Sequence, residues 1–284
     1  MFRSVLIATL VLLPVAAAAY EIKPKTPDAG FSGKLQPDIV GLSSNIEGSK
    51  AAAIFEAYLK DLPGVKPEAT QEKFGGTSVT YVSTMKFASP ATGDHPGESL
   101  SAMFSSPAST NRAYYVSRSL GFNKDKQPSK AEMIERITAK YGTPTAIGDG
   151  KVYYFYKAGK VTSVKEKYTP ASAVDALNAP LNPKAAVALN DANGRGSCVA
   201  MLKRAEGTDK TLPKLADDAK AANCDGLVAV EISNGITPDR VGKADFTLID
   251  FKQVASAAKI DADAFAAEKN ESLNKTPMGS SPKL

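Results

Sequence analysis

The single histidine of this 284-residue chain, His95, is the first candidate for acid–base or nucleophilic chemistry. It lies between Asp94 and Ser99, whose residue types could complete a Ser-His-Asp hydrolase site. One histidine cannot supply the two or three imidazoles of a typical zinc site, and the chain has no G-x-S-x-G turn to present a serine nucleophile. The surrounding Gly and Pro residues predict an exposed loop. A small hydrolase that uses His95 is therefore the alternative to a non-catalytic role.

Two acidic pairs are a second candidate for hydrolysis, because two carboxylates can act as general acid and general base. They are Asp217 with Asp218, and Asp261 with Asp263. Both pairs lie in segments with helical periodicity, for which a solvated helix face is the ordinary explanation. Under the hydrolase alternative both pairs remain candidates, since catalytic carboxylates are brought together only by the fold.

Metal and phosphate sites are not predicted. The stretch from Asp191 to Gly196 begins like an EF-hand loop, but Arg195 occupies its fifth position and Leu202 the twelfth, where a bidentate carboxylate is required. The same Gly-rich turn leads into a predicted strand rather than a helix, which excludes a dinucleotide-binding turn. We therefore predict no cofactor and no metal.

The two cysteines, Cys198 and Cys224, are predicted to form a disulfide bond. An even number of cysteines usually pairs in a chain that reaches an oxidising compartment. A catalytic redox pair is the alternative, but such pairs have C-x-x-C spacing near the start of a helix. A disulfide that closes a loop of this length stabilises the fold by roughly 3 kcal/mol.

Adjacent tyrosines are the candidate binding residues. Tyr114 with Tyr115, and Tyr153 with Tyr154, lie in strand-like segments, where successive side chains point to opposite faces of the sheet. If the sheet has one open face, some of these tyrosines form an exposed aromatic patch suited to a partner protein or a small ligand. The alternative is that a second layer covers them.

The best-defined element is the helix that follows Ser129. Ser129 and Glu132 have capping-box spacing, and Gly142 with Pro144 predicts the end of the helix. Hydrophobic periodicity predicts further helices at 49–62, 212–222 and 253–269, a loop at 66–76, and strands at 38–42, 77–87, 99–104, 112–122, 151–157, 197–203, 227–233 and 244–251.

These elements predict an α+β fold with two small antiparallel sheets, each packed by helices, and one disulfide in the second half. The chain is long enough for two modest domains. The predicted divisions are a signal peptide at 1–19, an extended N-terminal arm at 20–36, a first α+β domain at 37–168, a linker at 169–194, a second, smaller α+β domain at 195–269 and a disordered tail at 270–284.

The N-terminus predicts export. Arg3 precedes an apolar run that ends in small residues, which is typical of a signal peptide cleaved near Ala19. The run is shorter than the roughly 18 residues that a membrane span requires. We expect a periplasmic or secreted protein with no transmembrane segment in the mature chain. The formal net charge of +5 is mild, and the Lys and Arg residues are spread along the chain, so nucleic-acid binding is not predicted.

Several segments resemble a group of exported proteobacterial (Gram-negative periplasmic) proteins of unknown function. The resemblance lies in Asp38-Ile-Val-Gly-Leu before a helix, Phe104-Ser-Ser-Pro, Ala113-Tyr-Tyr-Val-Ser-Arg-Ser and the helix end Lys140-Tyr-Gly-Thr-Pro, and it covers much of residues 37–251. Proteins of this group also tend to carry two cysteines in a later strand-and-helix segment. The resemblance implies a periplasmic location and transfers no catalytic residue.

We expect from these observations a non-catalytic module of the cell envelope. It would bind a partner protein or a small ligand through its sheet edges or its tyrosine-bearing face. A small envelope hydrolase that uses His95 or a carboxylate pair is the alternative, and a protein that acts only by assembly with itself is a third hypothesis.

Overall fold

The computed structural model describes residues 20–31, 36–62, 64–93, 95–162, 170–181, 198 and 210–275. The helices within these ranges are α1 (Gly48–Leu59), α2 (Lys130–Tyr141), α3 (Pro170–Asn178), α4 (Leu212–Ala221) and α5 (Phe251–Lys275). The strands are β1 (Asp38–Ile39), β2 (Leu42–Ser43), β3 (Glu68–Lys73), β4 (Thr80–Ser89), β5 (Gly97–Phe104), β6 (Ala113–Gly121), β7 (Ala146–Gly148), β8 (Lys151–Lys157), β9 (Lys160–Val161), β10 (Gly226–Asn234) and β11 (Val241–Ile249).

One nine-stranded antiparallel sheet dominates the fold, in the order β3-β4-β5-β6-β11-β10-β8-β7 with β9 beside β8. The α+β class is confirmed, but the prediction of two small sheets is wrong. Val116 in β6 pairs with Leu248 in β11, and Val228 in β10 pairs with Tyr154 in β8. The strands β10 and β11 of the predicted second domain therefore lie between β6 and β8 of the predicted first domain, in one sheet. Hydrophobic alternation predicts a strand but not its partner, so this pairing could not be predicted from the sequence.

Helices cover both faces of this sheet. On what we call the first face, α1, α2 and α3 pack residues such as Phe55, Ile137 and Leu177 onto the sheet. On the second face, α4 and α5 pack residues such as Leu215 and Val254. Strand β10 is buried on both sides, because its successive residues alternate between the two hydrophobic clusters. A double covering of this kind leaves the central strands no open face.

Helix α2 begins and ends as predicted. The Glu132 backbone N–H donates to Ser129 Oγ at 3.2 Å, and the Ser129 backbone N–H donates to Glu132 Oε2 at 2.9 Å, which completes the capping box. Gly142 follows the helix with φ of +84°, a conformation that glycine adopts without strain. These contacts are local, and local contacts are what a sequence pattern specifies best.

The structure differs from the predicted segments in four places. Residues 66–76 were expected to form a loop, but Glu68–Lys73 forms the edge strand β3; all six of its residues are exposed, so no apolar alternation marked it. Residues 38–42 form the β1–β2 hairpin instead of one strand. Helix α3 lies in the predicted linker, and α5 continues to Lys275, into the predicted tail.

Other predictions fall outside the described residues. They concern the signal peptide at 1–19, the linker from 182 to 194, most of the strand predicted at 197–203, and the tail from 276 onward. The boundaries of the two predicted domains stay predictions. The described part of the arm, residues 20–31, has no helix or strand, and no helix among the described residues is long and apolar enough to cross a bilayer.

Candidate functional site

The four candidate tyrosines do not form an exposed patch. Tyr114, Tyr115 and Tyr153 are each 2 % exposed and Tyr154 is 0 % exposed, because helices cover both faces of the sheet. Tyr153 stacks on Phe155 with ring centroids 5.6 Å apart in the second-face cluster. Tyr154 lies in the first-face cluster and donates its hydroxyl to the Gly142 carbonyl at 3.1 Å. This burial agrees with the alternative prediction, in which a second layer of structure covers the tyrosines.

His95 is exposed in a turn, as its neighbouring Gly and Pro residues predict. Its backbone N–H donates to Thr92 Oγ1 at 3.3 Å, and its carbonyl accepts the Thr92 N–H at 3.0 Å. Asp94 lies outside the described residues. Searching the described part of the chain finds no group of three or more His, Cys, Asp or Glu residues that could hold a metal ion. Both of these contacts are made by the His95 backbone, and neither provides its imidazole with a polar partner for catalysis.

The acidic pairs divide into solvated and buried members. Asp217 lies 3.4 Å from Lys220, and Asp263 lies 2.8 Å from Lys259, both as exposed ion pairs along a helix. Asp261 is buried instead, and accepts the Ser106 hydroxyl at 2.7 Å and the Ser106 N–H at 3.1 Å. Burial raises the pKa of Asp261. These contacts attach the 3₁₀ turn Pro107–Ser109 to α5.

A large cleft, which we call the long groove, lies on the second face. Its volume is about 1400 Å³, and it runs along α4 and α5 beside the sheet. Met103, Leu212 and Ala258 are among its apolar lining residues, and Tyr114 also contributes to the wall. Small side chains on the facing sides of α4 and α5 leave this space open, since alanine fills little volume between two helices.

The rim of the long groove is acidic. The charged residues that line it are six carboxylates and three lysines: Asp28, Glu72, Asp217, Asp225, Asp261 and Asp263, with Lys220, Lys252 and Lys259. Two of the lysines form the exposed pairs with Asp217 and Asp263. Asp261 is buried below the rim, and the five other carboxylates still outnumber the three ammonium groups, which favours a cationic ligand.

The disulfide predicted between Cys198 and Cys224 is present, and its Cα atoms are 6.1 Å apart. Cys224 lines the long groove, so the bond attaches residue 198 to the wall of this site. Both cysteines are buried in the second-face cluster. The sequence thus placed the bond correctly, and the structure adds that it belongs to the groove.

The smaller cleft, which we call the basic cleft, lies on the first face and has a volume of about 480 Å³. One side of α2 forms its wall through Met133, Arg136, Ile137, Lys140 and Tyr141. Their spacing of three, four, seven and eight residues places them on one helix face. Arg136 and Lys140 were not among the candidate residues predicted from the sequence, and the signal that could have found them is two cations at helical spacing among apolar residues.

An ion pair between partly buried Arg118 and buried Glu98 adjoins the basic cleft. Arg118, which lines the cleft, donates from Nε to Glu98 Oε1 at 2.6 Å and from Nη2 to the Tyr58 hydroxyl oxygen at 2.7 Å. The Tyr58 hydroxyl donates to the same carboxylate at 2.9 Å. Burial raises the pKa of Tyr58 to about 12, so it stays a neutral donor at physiological pH. Helix α1 and strands β5 and β6 thereby fix the orientation of Arg118.

A second buried carboxylate, Asp250, joins the N-terminal arm to the start of α5. It accepts the backbone N–H groups of Gly30 at 2.8 Å, Phe31 at 3.4 Å and Gln253 at 2.8 Å, and the Ser44 hydroxyl at 3.1 Å. Burial raises its pKa to about 6 despite these donors. The arm is therefore part of the folded structure at Gly30 and Phe31, where Phe31 also packs edge-on against Tyr156.

Comparison of the chain with protein-family models, with curated proteins and with solved structures finds no match. The resemblance to exported proteobacterial proteins therefore stays a prediction.

Proposed function

We propose that this chain is an exported, non-catalytic binding protein of the cell envelope, and that it binds a basic, partly apolar segment of a partner protein in the long groove. The observation that carries the proposal is the combination of an apolar floor with an acidic rim in the long groove. Ligand sites are typically such concave surfaces with a few placed charges. The disulfide supports export, because such bonds persist in oxidising compartments.

The shape of the groove favours an extended peptide. Its lining extends along α5 from Phe251 to Phe265, a distance of about 21 Å at about 1.5 Å per residue. An extended chain rises about 3.3 Å per residue, so six or seven residues fit this length. Alternate side chains of such a peptide would meet the apolar floor, and the others would meet the acidic rim.

The hydrolase alternative has less support. His95 is not among the residues that line either cleft. Asp261 lines the long groove but is engaged by Ser106, and Asp263 is paired with Lys259. A general acid or base must reach the substrate proton directly or through one water, which these arrangements do not favour.

Fluorescence anisotropy with labelled heptapeptides tests the proposed function. The probes alternate leucine with lysine, or leucine with glutamate. Ala258→Trp fills the floor of the groove, and Ala267→Trp is the matched control, since Ala267 is exposed on the same helix outside the lining. We expect the lysine peptide to bind, the glutamate peptide to bind at least tenfold more weakly, and only Ala258→Trp to reduce binding of the lysine peptide by tenfold or more.

A second pair of variants guards against misfolding of Ala258→Trp. Asp28→Lys reverses an exposed rim charge, whereas Asp61→Lys makes the same change at an exposed position outside the groove. We expect only the first to weaken lysine-peptide binding. Equal affinity for both peptides, or insensitivity to Asp28→Lys and Ala258→Trp alike, would overturn the assignment of the groove.

A further inference from the structure

The basic cleft has a composition that selects a different class of ligand. Its charged lining residues are all cations, namely Arg118, Lys126, Arg136 and Lys140, and its other lining residues are apolar apart from Tyr141. We propose that this cleft is a second binding site, and that it takes a small amphiphilic anion: a carboxylate with a single apolar chain. The proposal is independent of peptide binding in the long groove, which lies on the opposite face of the sheet.

Two of the four cations at the cleft, Lys140 and Arg118, are held in place by acids outside it. Lys140 Nζ lies 2.9 Å from Asp38 Oδ1, and Arg118 Nε lies 2.6 Å from Glu98 Oε1; neither acid lines the cleft. The bonds from Arg118 to Glu98 and Tyr58 use Nε and Nη2, which leaves Nη1 for another acceptor. Arg136 is exposed on the same wall. A carboxylate at this position would meet fixed donors next to an apolar floor, where charge attraction is stronger than in open water.

The floor and walls suit an apolar chain. Leu120, Met133 and Ile137 are each less than 10 % exposed, and Phe246 lines the cleft from β11, directly opposite Arg118 in the β6–β11 register. The volume of about 480 Å³ lies within the usual range of small-molecule sites. An apolar chain buried against these side chains would leave its charged end at the cations.

A strained residue marks the edge of the cleft. Val40 and Gly41 form the β1–β2 turn with φ of +49° and +87°. For a β-branched residue a positive φ is an outlier, and such strain persists where the surroundings hold it and often where a site uses it. Val40 lines the basic cleft, so the unfavourable turn residue supplies an apolar wall there.

Two other hairpin turns have the same pattern of positive φ angles, but their first residue is not β-branched. Asp149 and Gly150 connect β7 to β8 with φ of +53° and +73°, and Ala158 and Gly159 connect β8 to β9 with φ of +49° and +71°. Neither Asp149 nor Ala158 lines the cleft. The β-branched residue therefore occurs in the one of these three turns that borders the cleft.

Isothermal titration calorimetry with decanoate below its micelle concentration tests the proposal. Acetate has the charge without the chain, decanol has the chain without the charge, and decyltrimethylammonium has the chain with the opposite charge. We expect decanoate to bind at least tenfold more tightly than each of the other three. Equal binding of decanoate and decanol would overturn the selection for an anion, and equal binding of acetate would overturn the need for a chain.

Matched variants locate the site. Val40→Gly removes the apolar wall and relieves the strained turn, and Ala158→Gly makes the same change in a turn away from the cleft. Arg136→Glu reverses a cleft charge, and Lys60→Glu reverses an exposed charge just after α1. We expect Val40→Gly and Arg136→Glu each to weaken decanoate binding about tenfold, and both controls to leave it unchanged.

Thermal melting separates these effects from loss of folding. Relief of strain and loss of partly buried methyl groups oppose each other in Val40→Gly, so its Tm should shift by no more than about 3 °C. If decanoate binds Val40→Gly and Arg136→Glu as tightly as the unaltered protein, the basic cleft is not its site and the proposal fails. Ala258→Trp should leave decanoate binding unchanged, so the long groove can fail its own test without affecting this one.

Discussion

Glu98 and Asp250 show two ways of burying a carboxylate in one small protein. Glu98 is 8 % exposed and faces a cation, Arg118, across 2.6 Å. Asp250 is 0 % exposed, and its hydrogen-bond donors are three backbone N–H groups and the Ser44 hydroxyl, none of which carries a charge. The first arrangement neutralises the charge between neighbouring strands, whereas the second distributes it over chain segments that are distant in sequence.

The difference determines what each carboxylate contributes. Glu98 orients one side chain, Arg118, which lines the basic cleft. Asp250 holds Gly30 of the arm, Ser44 after β2 and the first turn of α5 at one point. A break at Glu98 should therefore affect a site, and a break at Asp250 should loosen the junction of three segments.

The largest effect is expected from Asp250→Ala. The substitution leaves three backbone N–H groups and one hydroxyl without their acceptor, and each buried unsatisfied donor costs about 1 to 3 kcal/mol. We expect the free energy of unfolding, measured by urea denaturation, to fall by about 5 kcal/mol. Asp245→Ala is the control on β11, because Asp245 is a partly exposed partner of Lys243 and its loss should cost less than about 1 kcal/mol. Similar losses in both variants would contradict the role given to Asp250.

Arg118→Met should have the next largest effect. It leaves Glu98 buried without a cation, and breaking a buried pair costs about 3 to 5 kcal/mol. We expect a loss of about 4 kcal/mol in the same urea experiment. The matched test is the double variant with Glu98→Leu, which removes both charges. If the double variant is not more stable than Arg118→Met alone, the pair is not the reason for the loss.

The sequence predicted those features whose partners are close along the chain. The α2 capping box depends on Ser129 and Glu132, three residues apart, and both its contacts were predicted. Asp250 offered no such signal, because Gly30 and Ser44 are 220 and 206 residues away. The single sheet was missed for the same reason, since β6 ends at Gly121 and its partner β11 begins only at Val241. The α2 stripe of the basic cleft was visible, but its meaning depended on β6 and β11 lying opposite it.

The pH dependence of stability should distinguish the two carboxylates further. Burial raises the folded-state pKa of Asp250 from 3.8 to about 6. Between these values the unfolded chain has lost this proton and the folded chain still holds it, so stability falls as pH rises. The shift corresponds to about 3 kcal/mol, and the loss is complete above about pH 6. Urea denaturation from pH 4 to 7 should show that the stability advantage of the unaltered protein over Asp250→Asn shrinks across this window. An advantage that grows with pH would reverse the sign and refute the assignment.

The smallest effect on stability is expected at the capping box of α2. Glu132 accepts a backbone N–H as Asp250 does, but it is exposed to solvent. Its Oε2 lies 2.9 Å from the Ser129 nitrogen, while the Ser129 hydroxyl accepts the Glu132 N–H at 3.2 Å. Ser129→Ala removes the N-cap and should lower the free energy of unfolding by about 1 kcal/mol, and Ser129→Thr, which keeps the hydroxyl, should change it by only a few tenths. If Ser129→Ala lowers the free energy of unfolding as much as Asp250→Ala does, burial is not the reason for the large effect of Asp250→Ala. Ser129→Ala removes the acceptor of one exposed N–H, whereas Asp250→Ala removes the acceptor of four buried donors, so the expected gap reflects both the number of donors and their desolvation.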